Sequence, residues 1–390
     1  MHIVFVLQGH PASLRGGAQK QAFLLAGGLV QRGWQVSFIS DSIPQSVVPP
    51  PGPTVWLPAR RSYLGFLNSL PIVRAIRRLN PDIVYHRVSG CYSAAAALGA
   101  RAAGAGFVWA IAMTHECVGR KFREKPKQPG VRGVLRRLLD TFMDLSIQFA
   151  ARQSELVVCQ TLAQKELLQQ HLPQVEAAVV PNCIPDAEPP RCPSDGGNLA
   201  TVLWVGKPSP YKQPWLFAEL AGRFQGCDVE FRMVGIDKPE QIWPDSPENP
   251  LAVAANLRLL GRLNSKLLNR EYSRASIVVN TSRSEGFPNI FLEAWQMGVP
   301  VLSLWRDPGN MLGRDGGGWH FDSLEEGEQL LRRLLNDREE LKRAGRSGYE
   351  LVKRNHTLEG TLDRFESAIA GSLHRRPLSA DARVRKSQER

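Results

Sequence analysis

The sequence predicts an α/β protein built from two doubly wound parallel-sheet domains in tandem, and three observations support this. Short apolar runs alternate with segments whose apolar residues recur at helical spacing, a pattern typical of parallel strands joined by helical crossovers. The alternation stops in a stretch rich in Pro, Gly and acidic residues, 183–198, and then restarts. The chain of 390 residues is also too long for one ordinary core, so two domains of roughly 180 residues are expected.

In the first domain, residues 1–185, apolar runs predict strands at 2–7, 34–40, 82–87, 107–113, 155–160 and 177–182. The segments between them predict helices at 17–33 and 64–79, the second being basic, amphipathic and broken near Pro71. An Ala-rich helix and a long helix ending at Arg152 complete the domain. Crossovers of this kind cover both faces of a parallel sheet.

In the second domain, residues 199–356, the same pattern predicts strands at 199–206, 229–235, 257–261, 276–282 and 299–304. Helices are predicted from Gln213, over 264–274, from Pro288 and over 324–355, and a last helix over 357–372. The basic tail, 373–390, is predicted to be disordered. Ligands of doubly wound sheets bind beyond the carboxyl ends of the strands, so we expect the two domains to face each other across a ligand cleft.

The net charge of +12 is concentrated in the first domain. Residues 1–190 hold 20 lysines and arginines against 11 acidic residues, and the excess is densest at 120–137, with eight basic residues and one acidic. A basic patch indicates an anionic partner, either nucleic acid or the phospholipid surface of a membrane. A solvated basic face without a partner is the alternative.

Several classes of site are absent from the sequence. The six cysteines form no CxxC pair, which predicts reduced thiols and a cytoplasmic protein, and the start of the chain lacks the basic region of a secretory signal. We find no P-loop, no nucleophile elbow and no set of His, Cys and acidic residues at metal-ligand spacing. The sequence therefore predicts neither a cofactor nor a metal.

The stretch SEGFPNIFLEAWQMGVPV, 284–301, places two carboxylates around a helix start. The preceding strand ends near Ser282, and Pro288 suits the first position of the next helix. Glu285 is then expected in the loop at the carboxyl edge of the sheet, and Glu293 about one and a half turns into the helix.

The chemistry of that helix start suggests a ligand. Backbone amides around Pro288, Asn289 and Ile290 would form a helix N-terminus, which favours a phosphate group. The two carboxylates would flank a diphosphate bound there, and carboxylates are strong acceptors for sugar hydroxyls. A nucleoside diphosphate sugar carries hydroxyls on both sides of its diphosphate, so the pattern predicts such a ligand.

The segment SRSEGFPNIFLEAWQMGVPVLS resembles the E-x7-E signature of retaining glycosyltransferase family 4, a glycogen-synthase-like group with two Rossmann-like domains, the GT-B fold. Other segments resemble the same family in the same order. GGAQKQAFLLAGGLVQRGWQVSFI resembles its glycine loop and first helix, and AIAMTHECVG carries the position of its histidine. WVGKPSPYKQPWLFAELA resembles the phosphate-binding segment, and NLRLLGRLNSKLLNREYSRASIVVNTS the segment that packs on the base.

The resemblance implies a role for each matching residue. Glu285 would contact the donor sugar and Glu293 the ribose, while His115, at the end of a strand of the first domain, would face the donor sugar. Glu285 and His115 are thus the catalytic candidates. Lys207 and Lys212 would neutralise the diphosphate. The remaining candidates are Arg262, Leu263, Gly286, Phe287, Pro288, Asn289 and Ile290 for donor binding, and Gly16 and Gly17 for the glycine loop at the acceptor side.

Three positions depart from the family pattern. Lys207 stands where arginine is common, which keeps the charge but loses the bidentate fork. Gln213 replaces a usual glycine, and Glu116 stands where an aspartate often follows the histidine. None of these changes removes a charge that the implied mechanism needs.

The resemblance implies a retaining, metal-independent enzyme that moves a sugar from a nucleoside diphosphate sugar to an acceptor hydroxyl, in bacterial cell-surface polysaccharide or glycolipid synthesis. The second domain would bind the donor and the first a glycan or lipid-linked acceptor. The helix at 357–372 would return to the first domain. The basic first domain further predicts attachment to the anionic inner face of the cytoplasmic membrane, through helix 64–79 and segment 120–137.

Alternatives from other classes remain open at this point. One is a nucleotide-sugar-binding partner of another transferase, without catalysis of its own. Another is a nucleic-acid-binding protein. The basic segment lacks interleaved aromatic residues, which argues against this alternative, so no nucleic-acid partner is expected. A nucleotide-sugar epimerase of the same fold would lack the E-x7-E segment. Taken singly, His115 could be a core histidine, and Glu285 could serve only the helix N-terminus.

Overall fold

The structure, a computed structural model, describes residues 1–9, 16–41, 50–60, 62–87, 89–118, 130–185, 199–243, 254–305, 307–313 and 316–373. The chain forms two compact units. The first comprises Met1–Cys183 together with the chain from Leu358, and the second comprises Ile184–Thr357. Each unit is built on one parallel sheet, so the predicted α/β architecture of two parallel-sheet domains is confirmed.

The sheet of the first unit has seven parallel strands in the order β3-β2-β1-β4-β5-β6-β7. The strands are β1 His2–Leu7, β2 Gln35–Ser40, β3 Thr54–Trp56, β4 Ile83–Arg87, β5 Gly106–Ala110, β6 Leu156–Cys159 and β7 Ala177–Val179. The helices are α1 Gly17–Gln31, α2 Ser69–Leu79, α3 Ser93–Ala103, α4 Gly130–Gln153 and α5 Leu162–His171, with a 3₁₀ helix at Ser62–Asn68 before α2 and another at Thr114–Val118 after β5.

The sheet of the second unit has six parallel strands in the order β10-β9-β8-β11-β12-β13. The strands are β8 Ala200–Val205, β9 Val229–Val234, β10 Leu257–Leu259, β11 Ile277–Asn280, β12 Val301–Leu304 and β13 Gly318–Phe321. The helices are α6 Pro214–Gly222, α7 Ser265–Arg274, α8 Asn289–Gln296, α9 Leu324–Leu335 and α10 Arg338–Asn355. The last helix of the chain, α11 Leu358–Leu373, belongs to the first unit.

The apolar run of β1 is continuous because both faces of its sheet are buried. Val4 and Val6 join the core with α2, α3, α4 and α5 on one face. Phe5 and its neighbours on the opposite face pack with α1 and α11. Gly28 of α1 allows α11 to approach, since a Cβ there would lie 2.6 Å from a methyl carbon of Leu362.

Several predicted boundaries were wrong. The helix predicted at 64–79 is a 3₁₀ helix followed by α2, so the break comes at Ser69 and not at Pro71, which the first turn of α2 tolerates. Helices were predicted to fill 324–355, and the structure has two there, α9 and α10; Asp337 starts the second by accepting a hydrogen bond from the amide of Glu340. The short strands β3 and β13 were not predicted.

The strand predicted at 107–113 is also shorter than expected, and β5 ends at Ala110. The side-chain amide of Gln160 donates to the carbonyls of Ile111 (2.7 Å) and Ala112 (3.1 Å). The carboxylate of Glu116 accepts from the amide of Ala112 at 2.9 Å. These side chains take the hydrogen bonds that a longer strand would use, so the chain turns before His115.

Some of the predicted segments lie outside the described residues. These are most of the linker at 183–198, the part of the basic segment up to residue 129 and the tail from 374. Within the described chain, no helix is both long and apolar enough to span a membrane. Cys91, Cys117, Cys159 and Cys183 are buried free thiols, and burial raises the pKa of Cys91 to about 11.

Candidate active site

The candidate site of the second unit lies where the strand order of its sheet reverses. β8 has β9 on one side and β11 on the other. Helix α6, which follows β8, packs on one face of the sheet, and α8, which follows β11, packs on the opposite face. The loops after β8 and β11 therefore diverge and leave a crevice, the place where doubly wound sheets bind ligands.

An ion pair joins these two loops. Lys212 Nζ, after β8, contacts Glu285 Oε1, after β11, although the residues are 73 positions apart. The side chains are 26% and 19% exposed, so solvent reaches both. A pair this accessible contributes at most about 1 kcal/mol to folding. The two groups can therefore separate at little cost when a ligand offers them other partners.

Thr281 fixes the spacing of the two loops. Its hydroxyl donates to the backbone carbonyl of Lys212 at 2.7 Å and accepts from the indole nitrogen of Trp204 at 3.0 Å. The amide of Arg283 donates to the carbonyl of Tyr211 at 2.8 Å. Sequence analysis did not single out Thr281 or Trp204, because their role depends on the pairing of β8 with β11 and no local motif marks it.

Gln213 has a strained backbone that explains why glycine is usual at this position in the resembling family. Its φ is 46° and its ψ is 55°, in the left-handed region that side chains disfavour. Gln213 precedes α6 and is buried, and its Oε1 has no hydrogen-bond partner among the described residues. Glutamine at this position therefore adds backbone strain that a glycine would not carry.

Glu293 lies on α8, and a buried phenol holds it in place. The hydroxyl of Tyr272, on α7, donates to Glu293 Oε2 at 2.8 Å. Tyr272 is 1% exposed, whereas Glu293 is half-buried. Burial, and then the charge of Glu293, raise the pKa of Tyr272. The phenol therefore stays a donor over the whole neutral range, and one carboxylate oxygen is oriented by it. Sequence analysis did not find Tyr272.

The helix N-terminus predicted at Pro288 begins one residue later. α8 starts at Asn289, and Pro288 is the preceding extended residue, with φ −69° and ψ 113°. This corrects the prediction that Pro288 opens the helix. Glu293 is consequently the fifth residue of α8, and Glu285 stays in the loop before it.

The turn between Glu285 and α8 is packed into the unit. Gly286, Phe287 and Pro288 are buried, and Asn289 and Ile290 are half-buried. The ring of Phe287 packs on that of His356, at the end of α10, with 5.2 Å between the centroids. The first amides of α8 therefore follow a turn that packs into the core of the unit.

The other predicted donor-binding residues lie at the same edge of the sheet. Lys207 is exposed in the loop after β8. Arg262 and Leu263 follow β10; Arg262 is exposed and its amide donates to Asp237 Oδ1 at 3.3 Å, whereas Leu263 is half-buried. The structure thus places the predicted residues of this unit on the three loops after β8, β10 and β11 and on α8, with Lys212 and Glu285 in direct contact.

The remaining predicted residues belong to the first unit. Gly16 is the extended residue before α1, and Gly17 is the first, exposed residue of α1. His115 is half-buried and lies on the 3₁₀ helix Thr114–Val118, so the prediction that it ends a strand was wrong. Glu116 is fully buried and closes that turn through the amide of Ala112. All three predicted residues follow carboxyl ends of strands of this sheet, β1 and β5.

Both units match known families of transferases. Residues 15–188 match the family model described as Glycosyltransferase Family 4, and residues 200–337 match the model described as Glycosyl transferases group 1. A curated relative, Glycosyltransferase 1 domain-containing protein 1 of Xenopus tropicalis, is 29% identical over 178 residues, 44% of this chain. That match spans about half, 51%, of the length of the relative.

Solved structures share the fold at low identity. Sucrose-phosphate synthase from Thermosynechococcus elongatus has a TM-score of 0.74 at 14% identity, over 96% of this chain and 99% of that one. The Anabaena protein HepE, in complex with UDP and glucose, has a TM-score of 0.70 at 15% identity, over 94% and 99%. Lipopolysaccharide outer core galactosyltransferase WaaB has 0.65 at 15%, over 95% and 99%. The fold is therefore GT-B, and the two family models support a glycosyltransferase.

Proposed function

We propose that the protein is a retaining glycosyltransferase that moves a sugar from a nucleoside diphosphate sugar to an acceptor hydroxyl, without a metal or cofactor. The observation that carries this proposal is the Lys212–Glu285 pair beside the start of α8, with Glu293 on the same helix. Lys212 and Glu285 contact each other in the loops at the crevice of a doubly wound sheet, and the helix that follows Glu285 carries Glu293 and the first amides of α8.

The donor is bound by exchange of partners. When a diphosphate enters, Lys212 transfers its contact from Glu285 to the phosphate, and Lys207 adds a second positive charge. The first amides of α8 donate to the same group. Glu285, released from its pair, accepts hydrogen bonds from hydroxyls of the transferred sugar. Glu293, oriented by Tyr272, accepts from the ribose.

The remaining contacts complete the donor and acceptor sites. Arg262 and Leu263 pack against the nucleotide, and the buried turn at 286–288 brings the backbone to the diphosphate. Gly16 and Gly17 allow the backbone to approach the acceptor closely because neither carries a Cβ.

Catalysis follows from where charge develops. As the bond between the anomeric carbon and the diphosphate oxygen breaks, negative charge grows on the leaving group. The ammonium groups and helix amides therefore bind the transition state, which carries that charge, more tightly than the ground state. This lowers the free-energy barrier of the transfer. The acceptor oxygen forms its bond to the anomeric carbon from the same face, and its proton passes to the leaving phosphate. Glu285 and Glu293 therefore bind hydroxyls and do not act as a hydrolase pair.

The compared structures support the donor class. HepE is in complex with UDP and glucose, and another structure of the same protein contains UDP-glucose. A nucleoside diphosphate sugar thus fits a site on this fold. WaaB is named as a lipopolysaccharide outer core galactosyltransferase. We accordingly propose a glycan or lipid-linked acceptor in bacterial cell-surface polysaccharide or glycolipid synthesis, on an anionic membrane surface.

Calorimetry with UDP, GDP and ADP tests the donor site. We expect one nucleotide to bind tightly and Glu293→Ala to weaken it at least tenfold, about 1.4 kcal/mol. Glu339→Ala is the matched control, because Glu339 is an 83% exposed glutamate on α10 of the same unit. No binding of any nucleotide would contradict the proposal, and so would equal binding by Glu293→Ala and the wild type.

A further inference from the structure

The outer side of α4 is apolar, the reverse of an ordinary surface helix. Leu135, Leu138, Phe142, Leu145 and Phe149 recur at alternating steps of three and four residues, so they form one stripe along the helix. The first four are 51% to 63% exposed. An apolar stripe of this length and exposure is uncommon on a monomer and marks an interaction surface.

The inner side of the same helix carries its acidic groups. Asp140 is 6% exposed and Asp144 is fully buried, beside the buried apolar residues Met143 and Ile147. The sequence thus places carboxylates inside and leucines outside along the same turns. The exposed leucines are therefore separate from the core-facing stripe, which other residues of the helix form.

A second row of exposed leucines adjoins the first. Leu64, Leu67 and Leu70, on the 3₁₀ helix before α2 and at the start of α2, are 54% to 59% exposed. The ring of Phe66, between them, packs edge-on against Phe142 of α4 with 4.5 Å between the centroids. The two rows are thus parts of one surface. We call it the leucine face, formed by Leu64, Leu67, Leu70, Leu135, Leu138, Phe142, Leu145 and Phe149.

The charge around the leucine face has one sign. At residue 60 and in the segments 64–79 and 133–153, every exposed charged side chain that the structure describes is an arginine. These are Arg60, Arg74, Arg77, Arg78, Arg136, Arg137 and Arg152. The acids of these segments are Asp140 and Asp144, both buried. Exposed leucine and phenylalanine bordered by arginine are complementary to the acyl layer and the anionic headgroups of a membrane surface.

We propose that the leucine face docks the protein on an anionic phospholipid membrane, with its leucines and phenylalanines in the interfacial layer and the arginines on lipid phosphates. A second copy of the chain is disfavoured as the occupant, because a two-fold interface would bring the same arginines together. The docking itself is independent of the proposed transfer. We also infer that a lipid-linked acceptor reaches the docked enzyme in the membrane, and this second inference rests on the proposed function.

Flotation of the full chain with vesicles tests the docking. We expect binding to vesicles of phosphatidylcholine and phosphatidylglycerol, and at least tenfold weaker binding to phosphatidylcholine alone. The double variant Leu135→Ser, Leu138→Ser is expected to lose at least tenfold in vesicle binding. Its matched control is Leu162→Ser, Leu199→Ser, which removes two leucines of similar exposure, 60% and 51%, at the start of α5 and just before β8.

The charge is tested by a second pair of variants. Arg136→Ser, Arg137→Ser is expected to weaken binding to the anionic vesicles severalfold, and added salt is expected to weaken the wild type in the same way. Arg343→Ser, Arg346→Ser, two exposed arginines of α10, is the control and is expected to bind as the wild type does. Each variant is also titrated with the nucleotide that the wild type binds, so that a failure of docking is separated from a failure of the donor site.

Three results would overturn the proposal. The first is a wild type that does not bind anionic vesicles at all. The second is equal binding by the leucine variant and its control, which would place the contact elsewhere. A wild-type dimer in sedimentation that Leu135→Ser, Leu138→Ser makes monomeric, without vesicle binding, would assign the leucine face to a second copy of the chain.

Discussion

The hydroxyl of Tyr272 donates a 2.8 Å hydrogen bond to Oε2 of Glu293, and it joins a fully buried residue of α7 to a half-buried glutamate of α8. Glu293 is therefore held in one orientation before any ligand arrives. Preorganisation of this kind lowers the cost of ordering a side chain on binding. Tyr272 is thus a positioning residue in the proposed donor site, acting through Glu293.

Tyr272→Phe separates positioning from folding. Removing the hydroxyl leaves the ring in the core, so unfolding should become easier by only about 1 kcal/mol. Nucleotide binding should weaken severalfold, because Glu293 loses its fixed orientation. Calorimetry and thermal unfolding of the same preparations measure both effects, with Tyr349→Phe on α10 as the control. Unchanged nucleotide affinity would show that Tyr272 serves the fold alone.

The same residue predicts a pH dependence. Burial and the charge of Glu293 raise the pKa of Tyr272 above its ordinary value. The folded protein therefore keeps the phenol proton after the unfolded chain has lost it. The contribution of the protonated phenol to the free energy of unfolding is full below about pH 10, and it is lost as the pH rises beyond that value. Urea unfolding across that range should show a smaller decline for Tyr272→Phe than for the wild type. Equal declines would contradict the assignment.

Lys212 should matter far more for the reaction than for stability. Lys212→Ala breaks a partly exposed ion pair, which should cost at most about 1 kcal/mol of folding free energy. It also removes the positive charge that would stabilise the negative charge developing on the diphosphate. This loss should lower kcat/KM roughly a hundredfold. Lys342→Ala, which breaks the exposed pair with Glu339, is the matched control. Loss of stability without loss of activity would make Lys212 a structural residue.

Gln213 offers a stabilising substitution at the site. Its φ of 46° suits glycine, and its side-chain oxygen is buried without a partner among the described residues. Gln213→Gly should therefore raise the free energy of unfolding, by up to about 1 kcal/mol. Gln225→Gly changes an exposed glutamine outside the positive-φ positions of the described chain and should destabilise slightly. A destabilised Gln213→Gly would show that the side chain contributes more than the strain removes.

The sequence was informative where a local pattern carries the structure. The apolar runs of β1 and β11 and the helical spacing of α8 predict two parallel sheets and the positions of Glu285 and Glu293 at a carboxyl edge. The hydrogen bonds that hold this site were not predictable, because Tyr272 reaches Glu293 and Thr281 reaches the carbonyl of Lys212 only through packing of separate elements. β3, at Thr54–Trp56, is three residues long and follows a run of prolines, so no strand pattern marks it.

His115 shows the limit of extending an apolar run into a strand. The run FVWAIAM continues to residue 113, but the side chains of Gln160 and Glu116 form hydrogen bonds with the backbone of Ile111 and Ala112. Gln160 follows β6 and lies 49 positions away from Ile111. No local pattern could reveal that contact, so the strand was predicted too long.

Analysis of a transfer reaction by proton NMR tests the central proposal most directly. The purified protein is given the nucleoside diphosphate sugar whose nucleotide binds best, with a glycan or lipid-linked acceptor, and the anomeric signal of the product is compared with that of the donor. We predict turnover that Lys212→Ala suppresses and a product with the anomeric configuration of the donor. Inverted configuration would contradict the retaining mechanism, and nucleotide binding without any turnover would make the protein a nucleotide-sugar-binding partner of another enzyme.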